Sequence, residues 1–349
     1  EEVSKIVAID NFQECINRLE KAKFIFVEHE SITDLQTNVS LLAKFLPRVG
    51  RVNEARRKTD IWLKVAEEKG YLFNRAQLLY QQSQIAVYQG LEDLGVEKSL
   101  ECLEICSRIG VEKFTLYPLL LMSQVQAEFG QSDAAFTRSV DGIIGSLKYQ
   151  NPAFTSQFLQ YAGLASFGLN MPELAEAYIK ESIRISTQEE MFGYLAVAKT
   201  ALAALLAEKG KFAKAKQLIE ETKTEDISRI SEPIAKKQHL FRVSGYEGKV
   251  YGLAREFSKA EQSYRKSLRL AEELGYEKIL GLYQNVQGLG ESLREQDKNH
   301  EALKELLKAK DIYQKSVVNL RIKGKNRLLD VTFSGRGIDE AISLVKTKR

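Results

Sequence analysis

Alternating runs of Val, Ile and Thr, the mark of strands, are scarce in this chain before residue 328. Apolar residues instead fill long stretches separated by short turns: Val-Gly-Arg at 49–51, Gln-Gly-Leu at 89–91, Phe-Gly-Gln at 129–131, Leu-Asn-Met-Pro at 169–172, Lys-Gly-Lys at 209–211 and Gln-Asp-Lys-Asn at 296–299. Gly and Asn end helices in left-handed geometry, and Pro172 suits the first turn of the next helix. Small residues mark the helices at a regular interval: Ala55, Gly95, Ala135, Ala175, Ala215, Ala260 and Ala302. The first five lie 40 residues apart and the last two steps are 45 and 42. Twelve residues before each marker stands another small residue: Ala43, Ser83, Ser123, Gly163, Ala203, Gly248 and Gly290. Two helices need small side chains where their axes come closest, so the paired columns predict a helix pair packed at those points.

A period of 20–50 residues marks a stacked-repeat architecture. A helix with a small residue, a Gly or Asn turn and a second helix with a small residue near its start resembles the tetratricopeptide repeat. Apolar or aromatic residues four after the second marker (Ile179, Ile219, Tyr264 and Leu306) extend the match, which covers roughly residues 10–316. The period is longer than that family's common 34, and most of its Trp, Tyr and Pro consensus is missing. Second helices closing on Ala-Glu-Glu-Lys-Gly-Tyr (66–71) or Ala-Glu-Glu-Leu-Gly-Tyr (271–276) are similar to the sensor arrays of bacterial signalling ATPases and maltose-regulator-type transcription factors. The resemblance implies an all-α fold, a right-handed α-solenoid of about seven antiparallel helix pairs over residues 1–318. Cys15 falls one period before Ala55, so residues 10–30 read as half of a leading unit. The stretch 224–233, with Thr224, Ser228, Ser231 and Pro233, reads as the place for a bend.

In the family the first helix of each unit lines a concave groove. The resemblance then places Lys44, Gln77, Tyr80, Gln84, Tyr88, Tyr117, Gln124, Gln157, Gln160, Arg242 and Lys249 on that surface, with Thr37, Ser40, Arg48, Glu128, Phe167, Gln284, Gln287 and Arg294 beside them. Gln offers a donor and an acceptor to an extended peptide of any sequence, and Tyr supplies rigid apolar area with a polar tip. The plainer reading is that Gln is a good helix former on a wet face. The Lys and Asn clamp with which some family members hold a C-terminal carboxylate is not recognisable.

Charge separates the end of the chain from the rest. Residues 320–349 carry eight Lys or Arg against three acids, whereas the preceding 319 residues sum to −1. The tail 319–349 has two readings. One is the start of a nucleic-acid-binding module, with Arg321, Lys323, Lys325 and Arg327 meeting phosphates. The other is a capping element and a solvated end. A short strand is expected at 328–333 and an amphipathic helix at 338–345.

Three cysteines give no disulfide framework; Cys102 and Cys106, four apart on one helix, read as small buried residues rather than half a metal site. The three histidines match no ligand spacing, and no HExxH, nucleophile elbow or phosphate loop is present. No enzyme, catalytic residue, metal or cofactor is expected. The longest continuous apolar run, residues 201–207, is too short to cross a bilayer, and the cysteine usage suits a reducing, cytoplasmic setting. The expected function is a protein–protein interaction module that binds a peptide or protein segment in the groove. The alternative is the sensory part of a bacterial regulator whose effector domain lies elsewhere or begins at the tail.

Overall fold

Between residues 72 and 208 each helix is 17 residues long and starts 20 residues after the one before it. The computed structural model of the protein describes residues 12–28, 32–276, 281–321 and 336–347. These hold α1 (Phe12–Glu28), α2 (Ile32–Phe45), α3 (Val52–Lys69), α4 (Leu72–Tyr88), α5 (Glu92–Arg108), α6 (Glu112–Glu128), α7 (Ser132–Lys148) and α8 (Pro152–Gly168). They continue with α9 (Pro172–Gln188), α10 (Phe192–Glu208), α11 (Phe212–Glu221), α12 (Pro233–Leu253), α13 (Phe257–Glu273), α14 (Leu282–Arg294), α15 (Asn299–Arg321) and α16 (Arg336–Thr347). No strand occurs among the described residues.

The beat is set at the helix ends. Residues 50, 70, 90, 110, 130, 150, 170, 190 and 210 all adopt positive φ. The residue after each donates its N–H back across the last turn: Tyr71 to Ala66 O at 2.9 Å, Leu91 to Ala86 O at 2.9 Å, Met191 to Ser186 O at 2.9 Å. This left-handed cap satisfies carbonyls that the helix leaves open and turns the chain by a fixed angle.

Seven helix pairs result, α2–α3 through α14–α15, as the small-residue columns predict. Both columns are buried, and their members meet across each pair. A Cβ on Gly95 would stand 3.1 Å from Ser83 O, and one on Gly290 would stand 2.7 Å from Leu306 Cγ. The first helix of each unit also touches the first helices of neighbouring units, while the second helices flank them. The even-numbered helices α2 to α14 therefore form the inner layer.

The longer step before Ala260 is taken up both by a break in the helix and by a lengthened helix. Helix α11 stops after ten residues, widens into a π turn at Thr222–Asp226 and a 3-10 turn at Ile227–Arg229, and α12 lengthens to 21 residues. The Glu232 carboxylate caps α12 by accepting from the Ala235 N–H. Lys199 on α10 meets Asp226 at 2.7 Å and holds the loosened segment on the inner layer.

Helix α15 carries on to Arg321, beyond residue 318 and past Ser316, where the pattern weakens in sequence. The amphipathic helix expected at 338–345 lies within α16, whose Ala341, Ile342 and Val345 pack with Val286, Leu306 and Tyr313. The strand expected at 328–333 lies outside the described residues.

The superhelix also comes round on itself. A Cβ on Gly275 would lie 3.5 Å from Gly50 Cα, Tyr88 meets Tyr276 at 6.0 Å between ring centroids, and Phe129 stacks on Tyr283 at 6.3 Å. The Gln284 amide reaches the Glu128 carbonyl at 3.4 Å, and α15 touches α5. The inner layer thus encloses a lumen, closed along a seam where the first three units meet residues 275–284.

Candidate functional site

Aromatic side chains cross the lumen wall from helix to helix. Tyr80 on α4 meets Phe114 and Tyr117 on α6 at 6.0 and 5.4 Å, and Tyr117 meets Phe154 on α8 edge-on at 4.8 Å. Tyr117 and Tyr194 remain 39% and 37% exposed despite sitting on the inner layer. Burial nevertheless raises the Tyr80 and Tyr194 hydroxyls above the usual phenol range. Groups that water can reach but protein encircles are those lining a concavity.

Cations share this surface. The charge of Arg48, in the turn after α2, acts on Lys44, Tyr80, Tyr194, His239 and Tyr276. Those residues come from four inner helices and the seam. Arg242 on α12 is exposed, and its charge acts on the buried Tyr161 on α8 and on Glu128 on α6. Burial and then Arg48 lower the Lys44 ammonium. Burial, then Arg242 and Arg48, press His239 down to about 4, so it stands neutral near pH 7. Its Nδ1 is buried without a hydrogen-bond partner among the described residues.

The Glu128 carboxylate opposes Arg242. Burial raises Glu128, while Arg242 and the Gln124 amide, at 3.3 Å, draw it down. A second acid, Glu92 at the start of α5, lies outside the cationic zone beside the seam. It is 3% exposed and pushed up to about 7 by burial, with Asp93 and Glu128 adding to the effect. Among the described residues no group of three or more His, Cys, Asp and Glu could hold a metal ion. Cys102 and Cys106 are buried in the contact between α4 and α5 with Ala76 and Leu79, and they share a hydrogen bond.

No protein-family model and no curated protein matches the chain. Among solved structures, a Rap protein complexed with Competence and Sporulation Factor aligns with a TM-score of 0.60 at 12% identity, over 97% of this chain and 96% of that one. NprR in complex with its cognate peptide NprX aligns with a TM-score of 0.49 at 14% identity, over 100% of this chain and 91% of that one. A signal transduction ATPase with a tetratricopeptide repeat sensor, from Pyrococcus horikoshii, gives a TM-score of 0.48 at 13% identity, over 88% and 44%. The chain is a tetratricopeptide-like helical solenoid.

The solenoid brings most of the residues singled out in the sequence onto its inner layer. Lys44 and Arg242 are exposed there, and Gln77, Tyr80, Gln84, Tyr88 and Gln124 are half-buried. Gln77 and Gln84 have no hydrogen-bond partner among the described residues. Gln157 donates to the Ala153 carbonyl at 3.0 Å and lies beside Tyr194. Lys249 is held away from the cationic zone by Glu208 at 2.9 Å. Gln160 departs from the expected exposure: it is 5% exposed, because the row three before the small residue faces the neighbouring inner helix. Tyr80 occupies the same row and packs on Tyr117 for the same reason. Arg321 closes α15, whereas Lys323, Lys325 and Arg327 lie outside the described residues.

Sequence reasoning missed Tyr161 and Tyr246, two before the small residue, and Tyr194 and His239, nine before it. Counting one turn backward from Val197 and Arg242 would have found the second pair, and forward from Gln157 and Arg242 the first.

Proposed function

We propose that the lumen binds a peptide or an extended segment of another protein, making the chain a protein–protein interaction module. The observation that carries this is the pairing of accessible tyrosines with half-buried amides, Gln77 and Gln84, that lack partners among the described residues. An extended backbone has one donor and one acceptor per residue and satisfies such amides whatever its side chains. Tyr117 and Tyr194 add apolar area that orders at little entropic cost. The structurally similar Rap protein was solved with Competence and Sporulation Factor bound, which supports the same use of the fold here. Selection of random dodecapeptides on the immobilised protein tests the reading. Enriched peptides should bind the parent and lose at least tenfold in affinity with Gln84→Ala/Tyr194→Ala. Enrichment that is absent, or blind to the double variant, counts against the lumen as the site.

A second reading, the sensory array of a regulator, is favoured by Glu128. Its carboxylate faces Arg242 inside the lumen, and its carbonyl accepts from Gln284 at the seam. An occupant that draws Arg242 away acts on the same residue that helps close the superhelix. Small-angle scattering with and without a selected peptide tests this: an unchanged radius of gyration removes the second reading and leaves the first.

A further inference from the structure

One outer helix departs from its sisters on the face turned away from the lumen. The positions nine and twelve residues after each small-residue marker are exposed on the outer helices, and they are normally polar. They hold Lys64 and Glu67 on α3, Arg184 and Thr187 on α9, and Arg269 and Glu272 on α13, and are polar on α5 and α15 too. On α7 the same positions hold Ile144 and Leu147, 64% and 60% exposed. The difference continues toward the start of the helix. One and five residues after the marker, α3, α9 and α13 carry ion pairs: Arg56 with Asp60 at 3.8 Å, Glu176 with Lys180 at 2.8 Å and Glu261 with Arg265 at 2.8 Å. There α7 has Phe136 and Val140, both half-buried. Phe136, Val140, Ile144 and Leu147 thus form one apolar ridge at helical spacing. The core does not require it, because Ile143 already packs α7 against Leu116 and Phe154 of the inner layer. Single exposed apolar residues are ordinary; a ridge of four where sister helices are charged marks a surface that something covers.

We propose that a second copy of this chain covers the ridge, α7 lying antiparallel on α7 in a weak symmetric dimer. The charges beside the ridge select that occupant. Asp141 precedes Ile144 and Lys148 follows Leu147, and both charged residues are exposed. A two-fold axis between Ile144 and Leu147 lays Ile144 over Leu147 of the second copy. It also brings each Asp141 within one turn of Lys148 of the second copy, so the surface is its own complement. The flanking α5 keeps the same order, with Glu104 one turn before Arg108. Asp141, Glu104 and Arg108 have no ion pair among the described residues, although the charge of Asp141 acts on Arg138. Lys148 pairs with Glu112 at the start of α6, but the two side chains are 61% and 64% exposed. Such a pair is worth little in water, so Lys148 can change partners. A foreign helix would need matching charges of its own, whereas a second copy brings them. One convex ridge on another buries little area, so association is weak. The dimer uses the outer face and is independent of what the lumen binds.

Sedimentation equilibrium of the intact chain, without peptide, tests the proposal between about 1 and 200 μM, where so small an interface assembles. The parent should pass from monomer to dimer over that range. Ile144→Arg/Leu147→Gln should stay monomeric throughout, with an unchanged melting temperature because both side chains are exposed. Asp141→Lys and Lys148→Asp should each weaken association by roughly tenfold. Mixed in equal amounts, those two variants should form a dimer of near-parental affinity, since each supplies the charge that the other has lost. That rescue holds the test open should the apolar variant misfold, because two damaged folds do not repair each other. A parent that is monomeric at every concentration overturns the second copy as occupant and leaves the ridge to a foreign partner. A dimer that persists in Ile144→Arg/Leu147→Gln overturns α7 as the interface. A dimer lost in that variant but indifferent to both charge changes overturns the antiparallel arrangement.

Discussion

Gly163 on α8 lies directly beneath Ile179 on α9: a Cβ there would stand 2.6 Å from Ile179 Cγ1 and 3.0 Å from the Ala175 carbonyl. The backbone oxygen cannot give way, so the two helices would have to part. Gly163→Ala should cost about 1–3 kcal/mol and Gly163→Leu more. Gly70→Ala has open space around it and carries only left-handed strain at φ 70°, about 1–2 kcal/mol. Urea titration of Gly163→Leu and Gly70→Ala distinguishes the mechanisms. Equal losses would mean the small column is not a packing constraint.

Two buried groups give stability opposing pH dependences. Glu92, raised from an ordinary 4.5 to about 7, binds its proton more tightly folded than unfolded. Its contribution is present below 4.5 and is lost as pH rises to about 7, by roughly 3 kcal/mol. His239, lowered from 6.5 to about 4, does the reverse: its contribution is present above 6.5 and is lost as pH falls to about 4. The two slopes offset each other between pH 4.5 and 6.5. Glu92→Gln should expose the His239 slope, giving stability that rises with pH, and His239→Gln should expose the Glu92 slope. Thermal melts from pH 4 to 8 check both; matching profiles for the two variants would show that neither group titrates as its surroundings require.

Gln84 and Gln160 separate surface from core. Gln84→Ala should leave the melting temperature within a degree or two of the parent and weaken a selected peptide severalfold. Gln160→Ala removes a buried amide and should lower the melting temperature while leaving affinity within twofold. Calorimetry on both variants decides. The opposite pattern would invert the assignment of lumen and core.

Tyr88→Ala/Tyr283→Ala removes two of the ring contacts that close the seam. The seam should open, read as a larger radius of gyration and faster amide exchange in α5 and α14. An unaltered radius would show that the seam is held by Leu274 and its apolar neighbours alone.

The 40-residue unit was legible because packing demands small residues at two points per pair, and Ala55, Gly163 and their equivalents answer that demand in every unit. The 20-residue beat beneath it was only half legible. Gly70 and Gly110 announce the turns between units, but Gln150 and Glu190 hold the same left-handed geometry at φ 48° and 52° without any residue signature. The groove was legible in kind and off in register, as buried Gln160 and unanticipated Tyr161 show, since one residue turns a helical side chain by about 100°. The seam was not legible at all. Phe129 and Tyr283 are ordinary aromatics until the accumulated twist of four units brings them together.

Repeat arrays usually behave as one-dimensional chains, where each unit feels only its neighbours and the ends fray first. Contact between the 50s turn and the 270s turn changes that topology to an annulus. It adds contacts of very long sequence separation, so loop closure must precede them and assembly slows. It also removes the free end from which a linear array unzips. Deleting the last pair should therefore weaken the first, and heat should dissolve the inner helices in one cooperative step rather than unit by unit.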